Sequence, residues 1–298
     1  MIDDLRALAA VIEARSVTKA ATRLSLTQSA VSRRLQHLEE MLGGNLFDRT
    51  QRPPTPTALG LRVLEQALPI LRAVDDLVLT AQDESDPIGT MRLGIAQAIG
   101  DLVLTQIVQQ LHRAFPTLDL RLRTDWSRGL FQQILDGKLD GALVLMPPSS
   151  RIPSGMAGRC LTSIKTGIIQ AKKMPRTRGP VRLARLSKEA WVLNPLGCGY
   201  RSALETAMGQ RDGTLRVAID TFGLDVQLRM VASGVGLGLV PLAAIKSSAV
   251  RRDIRIVDVT DFTLTLDAWL VHQRQTGNLR RALDVVAEEV SERLLHSS

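Results

Sequence analysis

Two cysteines, Cys160 and Cys198, are too few for a disulfide framework, and that scarcity reads as a chain from a reducing compartment. No uninterrupted apolar run of about 18 residues occurs, so no segment is expected to cross a membrane. The opening stretch, MIDDLRALAAVIEARSV, has acids where a signal peptide would have its basic region, and it shows no cleavage pattern; the expected location is the cytoplasm. The four histidines, His37, His112, His272 and His296, are scattered, and H-x-x-x-H, Cys/His metal spacing and a G-x-S-x-G elbow are all missing. The sequence therefore predicts no catalytic residue, no metal ligand and no cofactor. GVGLG at 234–238 stands between an expected helix and an expected strand, the reverse of the order a dinucleotide fingerprint requires.

What is present suits one small domain and a larger α/β body: 298 residues, 45% of them hydrophobic. The net charge of +8 is unevenly spread. Residues 1–86 hold 10 Lys/Arg against 12 Asp/Glu, whereas residues 87–298 hold 28 against 18. Global basicity therefore does not mark the front of the chain as a nucleic-acid binder. Local distribution does better: no acid lies between Glu13 and Glu39, while Lys19, Arg23, Arg33 and Arg34 do. Solvated helix positions would give the same local pattern.

Residues 3–14 repeat Leu5, Leu8, Ala9 and Ile12 at helical spacing, with Asp3 and Asp4 at the favourable end of the dipole. A second short stripe, Val17, Ala20, Ala21 and Leu24, follows, with Thr18 as the expected N-cap. A third helix should begin near Thr27, packing Ala30, Val31, Leu35, Leu38 and Leu42 and leaving Gln28, Ser29, Ser32, Arg33 and Gln36 outward; Gly43 and Gly44 stop it. Two short helices separated by LSLT, the second presenting small polar residues and arginines, outline a helix-turn-helix, although a generic helical hairpin shares the periodicity. NLFDRTQRPPTPT, residues 45–57, then supplies a proline-stiffened basic loop of the kind a DNA-touching wing needs.

The run LAAVIEARSVTKAATRLSLTQSAVSRRLQHLEEMLGGNLFDRTQRPPTPTALG resembles the signature of the LysR-type transcriptional regulators across residues 5–60. Leu8 departs from a place often held by Phe, and Pro53–Pro54 from a more flexible wing tip. The resemblance implies an N-terminal all-α winged helix-turn-helix over residues 1–58. Operator DNA would be met by Thr27, Gln28, Ser29, Ser32, Arg33 and Arg34 on the recognition helix and by Arg52 in the wing. It also implies homo-oligomerisation, as a dimer or tetramer, and contact with RNA polymerase.

From Thr57 the pattern lengthens into one helix, which over residues 57–84 would span about 42 Å at 1.5 Å per residue. Leu61, Leu64, Leu68, Leu71, Val74 and Val78 form a stripe that a domain under 60 residues is not expected to bury, so a partner helix is expected to cover it, with Leu64, Leu68 and Leu71 at the dimer seam. Packing of the same helix against the body is the alternative. Pro69 should bend it without ending it. In the family resembled this is the linker helix, placed here at 59–86.

Residues 87–298 alternate strand and helix. MRLGIA, DLRLRT and DGALVL are expected strands with helices at 100–114 and 127–136 between them. A second unit starts near 161 with KTGIIQA, EAWVLN, a helix at 201–209, TLRVAI, a helix from about Phe222 to Ala232, and GLGLVP. LDAWLVH and the helix 279–295 return to the first sheet. DGKLDGALVL and RMVASGVGLGLVP resemble runs of the LysR effector-binding domain, which implies a C-terminal α/β domain of two lobes, type 2 periplasmic-binding-protein-like. Lobe I would hold about 87–160 and 266–298, and lobe II about 161–265.

Ligands in such sheets sit beyond the carboxyl ends of strands. That rule selects Gln97, Ala98, Ile99, Thr124, Trp126 and Met146 from lobe I, and Cys198, Arg201, Thr221 and Phe222 from lobe II, as the effector site. Ala98 and Ile99 lack the small hydroxyl that the family often carries there, which points to an effector with apolar or aromatic area. Cys198 reads as a small apolar residue by the cleft or, less simply, as a thiol for a redox switch. A small-molecule binding module without a specific operator is the competing function.

Overall fold

The structure, a computed structural model, describes residues 1–48, 50, 54–80, 87–148, 150–175, 179–209, 215–274 and 276–295. It forms two compact units. The first contains α1 (Ile2–Ala14), α2 (Val17–Arg23), α3 (Gln28–Leu42), a two-strand ribbon of β1 (Phe47–Asp48) and β2 (Thr55–Pro56), and α4 (Ala58–Thr80). Leu5, Leu8, Val11, Val31, Leu35, Leu38, Leu46 and Phe47 form its core, and each such side chain gains about 1.5–3 kcal/mol on leaving water.

Two details differ from the sequence reading. Ser16, not Thr18, caps α2: its Oγ accepts the Lys19 amide at 3.3 Å, because the helix starts one residue before Thr18. Leu42 is 47% exposed and not packed, since the last turn of α3 runs past the core.

α4 continues through Pro69, as expected. The face it buries is another matter. Leu59, Val63, Ala67 and Leu71, at strict i, i+4 spacing, pack into the core of their own unit. Leu71, assigned to a dimer seam, is therefore an internal core residue. Leu64 and Leu68 are half-buried, and the exposed apolar positions are Leu61, Ile70 and Leu77. The stripe the domain buries lies one notch round from the stripe read in the sequence and shares only Leu71 with it.

The second unit is built on a single nine-stranded sheet. Lobe I supplies β3 (Thr90–Ala96), β4 (Asp119–Asp125) and β5 (Gly141–Met146), all parallel, with α5 (Gln97–Ala114) and α6 (Ser127–Leu135). Lobe II supplies β7 (Ala190–Leu193), β8 (Arg216–Asp220) and β9 (Leu237–Pro241), also parallel, with α7 (Gly199–Gly209) and α8 (Leu224–Ala232). Between them run β6 (Met156–Ala171) and β11 (Thr265–Gln273), antiparallel to each other. The strand order is β4-β3-β5-β11-β6-β9-β7-β8, with β10 (Ile254–Ile256) paired to the end of β6. α9 (Leu242–Ser247) lies on lobe II, and α10 (Arg280–Leu295) packs on α5 through Ala282, Leu283, Val286 and Val290.

β6 is the main departure. Only its second half was expected, because Arg159, Cys160, Thr162 and Ser163 blur the apolar pattern; pairing with β11 over Met156–Lys165 supplies the order that side chains do not. The glycines of GVGLG serve close packing. A Cβ on Gly236 would lie 2.4 Å from the Ala190 carbonyl oxygen.

Candidate DNA-binding and effector sites

α3 begins at Gln28 because the Thr27 hydroxyl accepts the Ala30 amide at 3.2 Å, while lying 3.0 Å from the Ser29 hydroxyl. Gln28 and Ser32 stand one turn apart, as do Ser29 and Arg33, and all four are exposed. Val31, Leu35 and Leu38 hold the opposite face in the core. The result is a rigid helix offering amide, hydroxyl and guanidinium groups outward, the groups that read base edges and hold phosphates.

Arg34 does not join that face. Its guanidinium bonds the Asp3 carbonyl and carboxylate, each at 3.4 Å, on the first turn of α1. One turn on, His37 Nδ1 lies 3.0 Å from the buried Asp4 carboxylate, which the Met1 ammonium also meets at 2.9 Å. Burial works to raise the Asp4 pKa, but these bonds outweigh it and hold the carboxyl below its ordinary range. Arg34 and His37 thus fix α3 against α1. Arg52 lies outside the described residues. At the wing's start, Asp48 Oδ1 accepts the Thr50 amide and hydroxyl, at 2.9 and 2.6 Å, bonds that lower its pKa.

Sequence reasoning missed Glu39. It is buried, and its Oε1 accepts the amides of Leu46 and Phe47 at 2.8 and 3.3 Å, setting the turn from α3 into the ribbon. α4 then starts where the Thr57 hydroxyl accepts the Gly60 amide at 3.0 Å. Between α1, α3 and α4 lies an apolar cavity of about 500 Å³ lined by Leu5, Leu38, Leu42, Val63, Ala67 and Ile70.

In the second unit the two lobes meet directly. Trp126 follows β4 and stacks on Phe222, which precedes α8, with ring centroids 6.3 Å apart and planes at 21°. The same indole covers Gly197 so closely that a Cβ there would sit 2.8 Å from Trp126 Cδ1. The Leu224 amide, at the start of α8, donates to Asp101 Oδ2 on α5 at 3.0 Å. Gln97 Nε2 donates to the other oxygen of the same carboxylate, also at 3.0 Å. Burial raises the Asp101 pKa more than these two bonds lower it. Asp101 was not foreseen, because the helix was expected from 100 and not from Gln97; on the true start it lies one turn from Gln97.

Several expected effector residues are elsewhere. Ile99 and Met146 belong to the lobe I core, since β5 and the first turn of α5 face the sheet's packed side. Ala98 is buried in the lobe II cluster, closing the interface instead of lining an open gap. Cys198 is also in that cluster, 3.7 Å from Asn194 Nδ2, which fits a small apolar residue. Arg201 is no free counter-charge: Nε bonds Glu205 at 2.7 Å, and Nη1 bonds the Asn194 carbonyl and Asp220. Thr221 is 9% exposed, with its hydroxyl 3.3 Å from the Phe222 carbonyl oxygen. Thr124 and Phe222 are exposed, and Trp126 and Gln97 half-buried. Leu196, Phe222 and Val226, at 71%, 65% and 43% exposure, form an apolar rim on lobe II that composition alone did not show. The buried Asn194 Oδ1 and Tyr200 hydroxyl have no hydrogen-bond partner.

The lysR-family model of bacterial regulatory helix-turn-helix proteins matches residues 2–61, and the LysR substrate binding domain model matches residues 84–294. The chain belongs to the LysR family of transcriptional regulators. This LysR-type regulator is 30% identical over 295 residues to the HTH-type transcriptional regulator IlvR of Caulobacter vibrioides, covering 97% of this chain and 98% of that protein. A full-length OxyR variant from Pseudomonas aeruginosa shares its fold with a TM-score of 0.76 at 18% identity, over 98% of this chain and 97% of that one. Full-length CbnR, solved with its target DNA, does so at 0.61 and 19%, over all of both chains. Among the described residues of the regulator no group of three His, Cys, Asp or Glu could hold a metal ion, and no helix is long and apolar enough to cross a membrane.

Proposed function

We propose that this LysR-type regulator binds operator DNA as a homodimer or tetramer and responds to a small-molecule effector held between the two lobes. The observation that carries the DNA reading is the exposed face of Gln28, Ser29, Ser32 and Arg33 on a helix capped by Thr27. Arg52 in the wing adds a phosphate or minor-groove contact. That CbnR was solved with its target DNA supports the reading. The test is retardation of a short duplex from the regulator's own upstream intergenic region against a scrambled duplex of equal composition. Equal binding to both would leave the competing binding-module reading.

Oligomerisation is assigned to α4. Leu61, Ile70 and Leu77 are exposed on α4, Ile70 also lining the cavity between α1, α3 and α4, and apolar area of this kind is covered by a partner helix. Leu64 and Leu68, half-buried, lie on the same side of α4 as Leu61, while Ile70 and Leu77 lie about half a turn round the helix. The effector is assigned apolar or aromatic area, because Trp126, Phe222, Leu196 and Val226 dominate the rim while Arg201 is already neutralised. Binding requires the Trp126–Phe222 stack to open or to accept the ligand, so the effector shifts the lobe arrangement by its differential affinity for it. A titration by tryptophan fluorescence, with Trp126→Phe removing the signal and Trp191 and Trp269 remaining, tests the location.

A further inference from the structure

Most of the regulator's excess positive charge lies outside the stretch that holds its recognition helix. Residues 1–86 carry a net −2, and residues 87–298 a net +10. Part of that excess is concentrated by the fold at one end of lobe II. β10 pairs with the end of β6, Ile254 opposite Ala171, and the Lys172 amide donates to the Asp253 carbonyl at 2.7 Å. Arg255 then donates from its guanidinium to the carbonyls of Lys172 and Met174. It thereby holds the turn after β6 against the segment before β10. Lys172 and Lys173 from one segment meet Arg251 and Arg252 from the other, and all four are exposed. Among the described residues Lys172, Lys173 and Arg252 make no ion pair, and Arg251 bonds only the Lys246 carbonyl, at 3.5 Å. Asp253 is the one acid in these two stretches.

We propose that this end of lobe II is a second phosphate-binding surface, which grips the DNA backbone without reading sequence. The proposal rests on the DNA-binding reading above. Four cations carried on two hydrogen-bonded backbone segments form a cluster, and a cluster of Lys and Arg suits a polyanion with closely spaced phosphates. DNA is favoured over an acidic protein because a regulator seated on an operator holds flanking duplex at high effective concentration. Residues 1–58 hold only 8 Lys/Arg against 6 Asp/Glu, so much of the non-specific attraction is left to be supplied from elsewhere in the chain.

The test uses the full chain and random-sequence duplexes of about 60 bp, with affinity followed from low to moderate salt; each phosphate contact contributes about 0.9 to the slope of log affinity against log salt. Lys172→Glu/Lys173→Glu/Arg252→Glu is compared with a reversal of equal charge at exposed sites elsewhere, Arg113→Glu/Arg216→Glu/Arg280→Glu. The first triple is expected to reduce the slope by about 2–3 and affinity at least tenfold, with unchanged thermal melting, and the second to do much less. Neutral Gln replacements at Lys172, Lys173 and Arg252 give the same direction if the reversals disturb folding. Equal losses in both triples, or no loss in the first, overturn the proposal while the operator reading stands. A wild type that retards neither random nor operator duplex overturns both.

Discussion

Glu39 buries its carboxylate to satisfy two backbone amides that no strand or helix would otherwise serve. Each amide left unpaired in the core costs about 1–3 kcal/mol. Glu39→Ala is therefore expected to lower the melting temperature of the helical unit by many degrees, and Glu39→Gln, which keeps an acceptor, by less; circular dichroism on heating measures both. Arg33 and Arg34 separate in the same spirit. Arg33→Ala is expected to cut the salt slope of operator binding by about 1 with no change in melting. Arg34→Ala acts through the lost Asp3 bonds, so Asp3→Asn, which removes the ion pair and keeps the carbonyl bond, should reproduce part of its effect on DNA binding, while Arg33→Ala has no such partner. The outward face of α3 was legible because helix period and polarity agree there. The roles of Arg34 and Glu39 were not, because each depends on a residue in another element, Asp3 and the Leu46 amide.

At the scale of elements, Gly60 records how tightly α4 starts against the ribbon. A Cβ there would lie 2.2 Å from the Leu46 carbonyl oxygen, backbone against side chain with no rotamer to yield. Gly60→Ala is expected to destabilise the helical unit by several kcal/mol, about the cost of serious overpacking or more, and to abolish operator binding while the α/β unit keeps its own thermal transition. The same helix supplies a contrast. Leu77→Asp or Leu61→Asp should shift sedimentation toward smaller species with little loss of secondary structure, whereas Leu71→Asp should unfold the domain, since Leu71 is core. Leu61→Asp and Leu77→Asp mutants that sediment as wild type would place assembly elsewhere. Helix existence was plain in the sequence; which of two adjacent apolar stripes faces inward was not, because an α-helix as apolar as this one offers both. Short elements such as α9 and β10 carry too few residues for a period to show, and β10 exists through its ladder to β6.

At the scale of the whole effector-binding unit, Asp101 contributes a pH dependence. Its folded pKa is raised, so the folded form holds a proton more readily than the unfolded chain, and the contribution favours folding at low pH and is lost as pH rises through the folded value. Asp101→Asn keeps an acceptor for the Leu224 amide and removes the charge. The variant is expected to melt above wild type at neutral pH, with the gap closing as pH falls below the Asp101 titration; a constant gap from pH 7 to pH 4 would contradict this. Two lobes of alternating strand and helix could be read from the periods, but the strand order could not. That the lobes stand closed on Trp126, Phe222 and Asp101 could not, since Phe222 lies about 100 residues or more from the other two and nothing local marks their meeting.

β6 and β11 have a consequence for motion. Both lobes hang on one continuous ladder, so neither can slide past the other without breaking backbone hydrogen bonds in series. They can turn, as two leaves turn about a pair of pins. The register of β11 against β6 slips between Ala268 and Trp269, and an extra residue at such a point bends and twists a strand more readily than its neighbours do. Opening is then a rotation centred near that slip, small at the pins and largest at the far rim where Trp126 meets Phe222. Spin labels at Thr124 and Val226 should separate on opening while a pair within either lobe stays fixed, so the distance from axis to rim sets how much leverage a bound molecule has over the rest of the regulator.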